Sequence, residues 1–555
     1  MKQNTWKMWC VRCFCMVAIM LLLLPSEKMQ AEAAVDESTS QETATPEFEI
    51  NENGTLLKYN GDGGVVTVPD GVRFICEDAF CEDGHVRVPR DIITELILPE
   101  GLTSLEDDPF IHFQNLQKVT FPSTLKTIRG FIGCTQLKEV VIPEGVEEIS
   151  WNAFSGCTSL EVVVLPSTIK KIDSYAFDDC VNLKTIVLPD TLEEVYANSF
   201  HNTLWYDTLV QETEGEYIIC ANALLGTKTP LSEIKVPEGV TRIASEAFTN
   251  QTSLRKVVLP STLKYIGRDA FCGCTNLHTV KLKAVEKIGI MAFEDTAIKK
   301  LVLPDGLKVI GAHAFWRCEQ LSVVKLPDSV EEIDEGAFER TSIEKITFPK
   351  HVKKIGKSVL GNCPKLKEVT ILNRNAELLY VSGNYCNPDC DETLLGGPRR
   401  GRNGVYKDKK TKRVVTVRGY KYSTAQEMVD RQNPIARHLG YKSIQFEAID
   451  PKTTNKILDS VKVPKTITIT KKKGKTISVT LPKNVKLVKK FTKNKGQVMV
   501  ERCLVDYSDL QVSAKGKVTY TSFVMESGFS NRIVCTTVRL PNGRCKVFTT
   551  KVKVK

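Results

Sequence analysis

The stretch Leu137–Cys157 reads L-K-E-V-V-I-P-E-G-V-E-E-I-S-W-N-A-F-S-G-C, and its order of Leu, Pro, Ile, Ala-Phe and Cys returns along much of the chain. Each copy has a proline that closes an apolar pair, and most successive prolines are 21 to 24 residues apart. These prolines are Pro69, Pro99, Pro122, Pro143, Pro166, Pro189, Pro237, Pro260, Pro304, Pro327 and Pro349. Unrelated domains would not keep one register over about 300 residues, so the sequence predicts one repetitive array.

A phenylalanine lies eleven residues after most of these prolines, and a cysteine often follows three residues later. The cysteines at this place are Cys134, Cys157, Cys180, Cys274, Cys318 and Cys363. An exported chain with 18 cysteines ordinarily suggests a disulfide framework. Their fixed place in the repeat instead predicts a buried ladder, in which each small, polarizable side chain packs against its copy in the next coil.

The segment Cys157–Pro166 shows how one repeat is predicted to fold. Alternate side chains of a strand face opposite sides, so Val163 is expected to point inward while Val162 and Val164 point outward. Pro166 then ends the strand, because proline cannot donate to a sheet. The chain returns through a second short strand or a helical turn. No repeat can bury its apolar side alone, so the coils must stack.

The quoted repeat resembles the BspA-like class of leucine-rich repeats, which occurs in bacterial surface proteins. The resemblance covers roughly residues 60–375 and implies a mainly β solenoid of parallel strands and short helical turns. We assign residues 51–375 to this solenoid, with an insertion at 201–232 where two periods are lengthened.

The N-terminus has the pattern of an export signal. Basic residues precede the apolar run Cys13–Leu24, and Ala31-Glu32-Ala33 supplies a cleavage pattern, so residues 1–33 are predicted to be a signal peptide. Residues 34–50 are polar and are predicted to be a flexible leader. The apolar run is shorter than the ~20 residues that span a bilayer, and we predict no transmembrane segment after cleavage.

The C-terminal part changes character twice. Residues 376–450 are predicted to form an irregular loop and a cap on the last coil, as the resemblance implies. Residues 451–555 hold 24 Lys or Arg and 5 Asp or Glu, a net charge of +19. Alternating strands and the stretch V-S-A-K-G-K-V-T at Val512–Thr519 resemble bacterial Ig-like domains of group 2, which implies a basic β-sandwich.

The sequence offers no enzymatic arrangement. The seven histidines are scattered, and no P-loop, zincin or nucleophile-elbow pattern occurs. Paired glutamates such as Glu147-Glu148 follow the repeat and are interpreted as solvated turns. We therefore expect no enzyme activity, no cofactor and no metal. Cys386 and Cys390 are a possible local disulfide, with free thiols as the open alternative.

The outward positions of the predicted strands are the candidate binding site, on the expected concave face of the solenoid. The candidates are Val141, Val162, Val164, Thr185, Val187, Lys256, Val258, Lys281, Lys300, Val302, Lys325 and Lys345. None is aromatic, which disfavours carbohydrate, whereas small apolar and lysine side chains suit a protein partner. Ordinary exposed β-formers without a ligand remain the alternative.

Together these features predict a secreted or cell-surface binding protein used for protein interaction or adhesion, with an extracellular or host protein as partner. The basic tail is predicted to associate with anionic cell-wall polymers, and nucleic acid is not expected outside the cell. The alternative is a structural wall-associated module without a specific protein ligand.

Overall fold

The computed structural model describes residues 47–80, 92–105, 108–378, 415–430, 444–455 and 459, and the strands between 466 and 554. The predicted signal peptide, most of the leader, and Cys386 and Cys390 lie outside these residues. The described chain is mainly β and forms a parallel-strand solenoid of about 14 turns with few helices. This confirms the fold class predicted for the repeat region.

Each coil contributes a first strand, here called an A strand, just before the repeat proline. Most neighbouring A strands pair in parallel, within five separate sheets; for example, Val162–Val164 pairs with Glu139–Val141 on one side and with Thr185–Ile186 on the other. The A strands are Gly64–Thr67, Ile93–Ile97, Lys118–Thr120, Glu139–Val141, Val162–Val164, Thr185–Ile186, Glu233–Lys235, Lys256–Val258, Thr279–Lys281, Lys300–Val302, Val323–Lys325, Lys345–Phe348 and Glu368–Ile371.

The return segment of nearly every coil contains a second short strand, here called a B strand; the coil that follows Pro99 has none among its described residues. The inward apolar residue of this strand is buried in all of them but the last, where Leu378 is partly buried, so the B strands close the second side of the core. The B strands are Thr55–Tyr59, Phe74–Ile75, Thr127–Ile128, Glu148–Ile149, Lys171–Ile172, Glu194–Val195, Ala223–Thr227, Arg242–Ile243, Tyr265–Ile266, Lys287–Ile288, Val309–Ile310, Glu332–Ile333, Lys354–Ile355 and Glu377–Leu378.

Two turns connect these strands, and in the coil of Glu139–Val141 both contain a residue with left-handed backbone. After Pro143, Gly145 adopts a φ of 102°, and the Val146 N–H donates to the Pro143 carbonyl. At the second turn Asn152 adopts a φ of 54°, a region that asparagine tolerates better than most residues. The Phe154 N–H then donates to a carbonyl of the next coil.

The phenylalanines of the repeat form two stacks in the core. Phe131, Phe154, Phe177 and Phe200 follow one another with ring centroids 5.5 to 5.6 Å apart, and their planes become nearly parallel toward Phe200. The second stack consists of Phe248, Phe271, Phe293, Phe315 and Phe338, with spacings of 5.2 to 5.4 Å. All are fully buried, so the aromatic position of the repeat is an axial core element.

The repeated cysteines form the predicted buried ladder. The Cys157 thiol donates to the Phe131 carbonyl of the preceding coil at 3.2 Å, and the Cys180 thiol donates to the Phe154 carbonyl at 3.1 Å. Where threonine replaces cysteine, as at Thr296, the hydroxyl donates to the phenylalanine carbonyl of its own coil. The six ladder cysteines are buried in the core at the expected place in the repeat, in agreement with the ladder prediction.

The predicted insertion is ordered. Helix α1 spans Leu204–Glu212 and begins at Thr203, whose side chain accepts from the Tyr206 N–H. A hairpin of Tyr217–Cys220 and Ala223–Thr227 follows, and its second strand pairs in parallel with Arg242–Ile243. The insertion therefore re-enters the B ladder.

The repeat ladder extends past both predicted limits. Phe48–Ile50, at the end of the predicted leader, is a strand antiparallel to Thr55–Tyr59, because Phe48 packs its ring 5.2 Å from Tyr59. Beyond residue 375, Thr416–Gly419 pairs in parallel with Glu368–Ile371, and Gln445–Ala448 pairs with Thr416–Gly419. Residues 424–430 are helical. The cap itself stays a prediction.

The basic tail contributes two further sheets. The five-stranded sheet contains Thr466–Ile469, Cys545–Val554, Asn531–Arg539, Gln497–Leu504 and Lys486–Val488 in that order. The three-stranded sheet contains Thr476–Ser478, Lys517–Tyr520 and Leu510–Val512 in that order. The Ig-like sandwich remains a prediction.

Candidate binding face

From Lys118–Thr120 onward, the first residue of each A strand and the residue two positions later lie on the outside of the solenoid, as predicted. In Glu139–Val141 the middle residue is buried while Val141 is 48% exposed, and in Lys300–Val302 the middle residue is buried while Val302 is 64% exposed. We call the surface formed by these outward residues the A face. It is a row of side chains held at a fixed spacing by the sheet, so it is a rigid surface for recognition.

The part of the A face between residues 139 and 187 is mostly aliphatic. Val141 and Val187 are both 48% exposed, and Val162, Val164 and Thr185 between them are partly exposed. Singly exposed apolar side chains are common on soluble proteins, whereas neighbours on adjoining strands form a patch. This patch is suited to contact with another apolar protein surface.

The part of the A face between residues 233 and 347 is basic, and its lysines alternate between the two outward positions. Lys235, Lys281 and Lys325 are the third residues of their strands, whereas the lysines of the intervening coils are the first residues of theirs. We call the six residues the lysine zigzag: Lys235, Lys256, Lys281, Lys300, Lys325 and Lys345. Strand spacing places one ammonium group about every 4.8 Å along the array.

Among the described residues, only two of the six lysines have an acidic ion-pair partner. Lys256 pairs with Glu233 at 2.8 Å, and Lys345 lies 3.5 Å from Glu368. Lys281, Lys300 and Lys325 are exposed and form no ion pair with any described residue. Their positive charge is therefore available to a ligand.

Two outward residues were not selected from the sequence although they belong to the same face. Lys235 is exposed, and Val323 is 50% exposed directly beside Lys300 in the strand register. Their place in the repeat is the signal that identifies them. None of the outward residues of the described A strands is aromatic, in agreement with the argument against carbohydrate.

The paired glutamates are exposed members of ion pairs between coils. Glu147 accepts from the Lys170 ammonium at 2.6 Å, and Glu148 pairs with Lys171 at 3.0 Å. The hydrogen bond from Lys170 lowers the pKa of Glu147. A carboxyl group that stays ionised is a poor proton donor, so the geometry supports a solvated surface ion pair over an acid/base pair. The turn assignment is wrong for Glu148, which is the first residue of the B strand Glu148–Ile149.

Among the described residues, two sets of three side chains place their ligand atoms close enough together to hold a metal ion. Asp178, Asp179 and His201 are one, but His201 Nδ1 already contacts Asp178 Oδ1 at 2.8 Å on an exposed surface. Asp269, Cys272 and Glu294 are the other. Burial raises the pKa of both carboxyl groups and raises the pKa of Cys272 to about 12, which favours their neutral forms. Neither group gives support for a metal site.

The remaining cysteine candidates are not brought into contact by described side chains. Cys386 and Cys390 lie outside the described residues. In the tail, the antiparallel register places Cys503 opposite Cys535. A disulfide there stays a prediction.

A protein-family model described as a BspA type leucine-rich repeat region matches the chain in six copies. The matched residues are 90–207, 218–294 and 286–387, which together make up slightly more than half of the chain. The matched region contains most of the A and B strands, which begin earlier, at Thr55, and end at Leu378.

Several solved structures of leucine-rich repeat proteins are similar to parts of the chain. A T. pallidum leucine-rich repeat protein is 29% identical, covering 27% of this chain and 78% of its own, with a TM-score of 0.26. A leucine-rich cell surface protein from Faecalibacterium prausnitzii is 22% identical (61% and 96% covered, TM-score 0.27). The pneumococcal vaccine antigen PcpA is 15% identical (72% and 95% covered, TM-score 0.27). No curated protein matches the chain.

Proposed function

This chain belongs to the BspA-type leucine-rich repeat family, and we propose on that basis that it is a surface or extracellular protein-binding module whose A face contacts an extracellular or host protein. The observation that carries the proposal is the row of outward residues on successive A strands, in which exposed valines adjoin lysines that form no ion pair with a described residue. Repeat solenoids use such continuous surfaces to bind extended partners. None of the described helices combines the length and apolar character needed to cross a bilayer.

The absence of aromatic residues on the described A face supports protein over carbohydrate as the ligand. Protein interfaces combine a desolvated apolar centre with a polar rim, and the A face presents valines and lysines side by side. The apolar half would supply contact area, and the lysines would supply orientation and a faster encounter.

The test measures binding of the fluorescently labelled full chain to three surfaces: host extracellular matrix, epithelial cells and whole bacteria. We expect saturable binding to at least one of them, and loss of that binding after the surface is stripped with protease. The variant Val141→Asp/Val187→Asp/Val302→Asp should bind at least about tenfold more weakly, because charge is placed in the desolvated part of the contact.

The matched control is Val181→Asp/Leu204→Asp/Ile290→Asp. These residues are 42%, 47% and 37% exposed and lie outside the A strands. The control should bind within about twofold of the unmodified chain, since exposed substitutions away from an interface have small effects. Equal binding by the A-face variant, or no protease-sensitive binding to any surface, contradicts the proposal.

The tail has a separate proposed role. Its net charge of +19 favours attachment to anionic cell-wall polymers. Raising salt from about 0.15 M to about 1 M shortens the screening length from ~8 Å to ~3 Å, so washing purified walls should release the chain. Retention at about 1 M salt would contradict attachment by charge. A chain that stays wall-bound while its A-face variant binds normally would instead be a structural wall module.

A further inference from the structure

The lysine zigzag has a second regularity, which concerns the residue that shares each strand with the lysine. The partners of Lys256, Lys300 and Lys325 on the outward side are valines, and those of Lys281 and Lys345 are threonines. Each of these strands therefore presents one cation and one small, largely aliphatic side chain. The two kinds of group alternate both along and across the array.

The register of neighbouring strands makes this alternation a checkerboard. Lys300 lies opposite Val323, and Val302 lies opposite Lys325. Val302 and Val323 are 64% and 50% exposed, so these valines are open to a ligand. From Lys256 to Thr347 the outward positions hold no carboxylate. The pattern attracts anions and at the same time leaves aliphatic surface to be covered.

A ligand that matches this pattern needs carboxylates and aliphatic groups within a few ångströms of each other. A polypeptide in which acidic and aliphatic residues take turns at every second position has both, because residues two apart in an extended chain project from the same side. An anionic polysaccharide or phosphate polymer satisfies the lysines and leaves the valines uncovered. Aliphatic side chains that stay in contact with water in the complex contribute no favourable free energy of burial. Such a polymer therefore matches the A face less well than a polypeptide does.

We propose that the basic half of the A face, centred on Lys281, Lys300, Val302, Val323 and Lys325, binds an acidic polypeptide segment of the partner. The segment's carboxylates pair with the lysines, and its aliphatic side chains cover the valines. The proposal rests on the protein-binding function proposed above and specifies the chemistry of the partner.

The experiment uses the full chain and two synthetic peptides of equal charge, one repeating Glu-Thr-Val-Thr and the other Glu-Thr-Ser-Thr, so that Glu and Val (or Ser) project from the same side of an extended chain. Because the basic tail also attracts acidic peptides, a carbodiimide is used to couple peptide carboxylates to lysine amines, and mass spectrometry identifies the coupled lysines. Coupling at Lys281, Lys300 and Lys325 should exceed coupling at the exposed lysines of other faces. The valine peptide should couple there several-fold more than the serine peptide.

Two variants of equal charge change separate the A face from general electrostatics. Lys281→Gln/Lys300→Gln/Lys325→Gln should lower the affinity for the valine peptide at least about tenfold at moderate salt, measured by fluorescence anisotropy. The control Lys287→Gln/Lys308→Gln/Lys350→Gln removes three exposed lysines outside the A face and should bind within about twofold. In addition, Val302→Ser/Val323→Ser should abolish the preference for the valine peptide.

Uniform coupling over all exposed lysines, or equal effects of the two glutamine variants, overturns the proposal. The proposal is also overturned if heparin blocks chemical modification of the A-face lysines more strongly than the valine peptide does, since that result identifies a polysaccharide ligand. If the peptides fail while Val141→Asp/Val187→Asp/Val302→Asp still abolishes binding to protein-bearing surfaces, this inference fails and the proposed function stands.

Discussion

Trp205 packs against Phe200 with ring centroids 4.6 Å apart and planes inclined at 54°, and this contact terminates the first phenylalanine stack. Phe200 is fully buried, whereas Trp205 is partly buried at the start of helix α1. The aromatic neighbour of Phe200 therefore comes from helix α1 of the insertion, whereas the neighbour of Phe154 or Phe177 comes from the next coil.

Trp205→Ala should therefore lower the free energy of unfolding by about 2 kcal/mol, less than the ~3–5 kcal/mol of a fully buried aromatic residue. Urea unfolding followed by circular dichroism measures the change. Leu204→Ala is the control, because Leu204 is 47% exposed, and it should change stability by less than about 0.5 kcal/mol. Equal effects of the two substitutions would show that Trp205 does not close the stack.

Gly289 lies at a point of close approach between the backbones of consecutive coils. A Cβ at Gly289 would stand 2.7 Å from the Gly267 carbonyl carbon, whereas a Cβ at Gly306 would meet nothing within 4 Å. Gly289→Ala should destabilise the array by about 1–3 kcal/mol, because backbone must move to admit the methyl group. Gly306→Ala should be neutral or stabilise by up to ~1 kcal/mol. A neutral Gly289→Ala would contradict the close approach.

The ladder thiols should resist alkylation in the folded protein. Burial raises the pKa of Cys274 to about 12 and the pKa of Cys318 to about 11, so little thiolate exists at about pH 8. Iodoacetamide followed by mass spectrometry should label the partly exposed Cys76 first and the ladder cysteines only in denaturant. Labelling of Cys274 in native protein at the rate of Cys76 would disagree with the buried ladder.

The same thiols predict a loss of stability in alkali. A thiol whose pKa is raised by folding keeps its proton in the native state while the unfolded thiol ionises above about pH 8.5, so the free energy of unfolding falls as pH rises toward 11 or 12. Burial also raises the pKa of Tyr196 and Tyr265, so part of the slope remains after Cys274→Thr/Cys318→Thr. That variant should show a flatter profile; an unchanged slope would assign the effect to other groups.

Asp459 connects the solenoid end to the last strand of the tail. It accepts from the Tyr422 hydroxyl at 2.7 Å and from the Lys546 ammonium at 2.9 Å, and the hydrogen bond from Lys546 lowers the pKa of Asp459 to about 2. A lowered carboxyl pKa adds stability above about pH 4 that is lost as pH falls toward 2. Asp459→Asn should speed amide hydrogen exchange in Cys545–Val554, measured at neutral pH.

The comparison substitution is Lys452→Gln, a nearby exposed residue. It should leave the exchange of Cys545–Val554 unchanged, because it makes no contact with that strand among the described side chains. If both substitutions act alike, the three-residue contact does not hold the strand.

The period of the repeat was sufficient to predict the strands, the inward and outward alternation and the buried cysteines. Val163 is buried and Val141 is exposed because a strand alternates its side chains, and this rule can be read from one sequence. The ion pair of Glu147 with Lys170 could not be predicted from the alternation within one strand, because its partners are 23 residues apart and meet only when coils stack in register.

The ends and the insertion were harder to predict. Phe48–Ile50 looked like part of a polar leader, and its pairing depends on the contact of Phe48 with Tyr59, which no local pattern reveals. The hairpin before Arg242–Ile243 has no counterpart in the repeat, so periodicity could not place it. Five of the six zigzag lysines were among the outward residues selected from the sequence, with Lys235 as the exception, but their alternation appears only when the residues are aligned by strand register.

Each ladder cysteine donates from its thiol to the phenylalanine carbonyl of the coil just before it, so these hydrogen bonds depend on a neighbour of the right kind and on no distant partner. Duplication or loss of a whole coil during evolution would leave every remaining sulfur atom beside an equivalent carbonyl. The array can thus change its length in unit steps, and the reach of its outer surface can be adjusted without a new core.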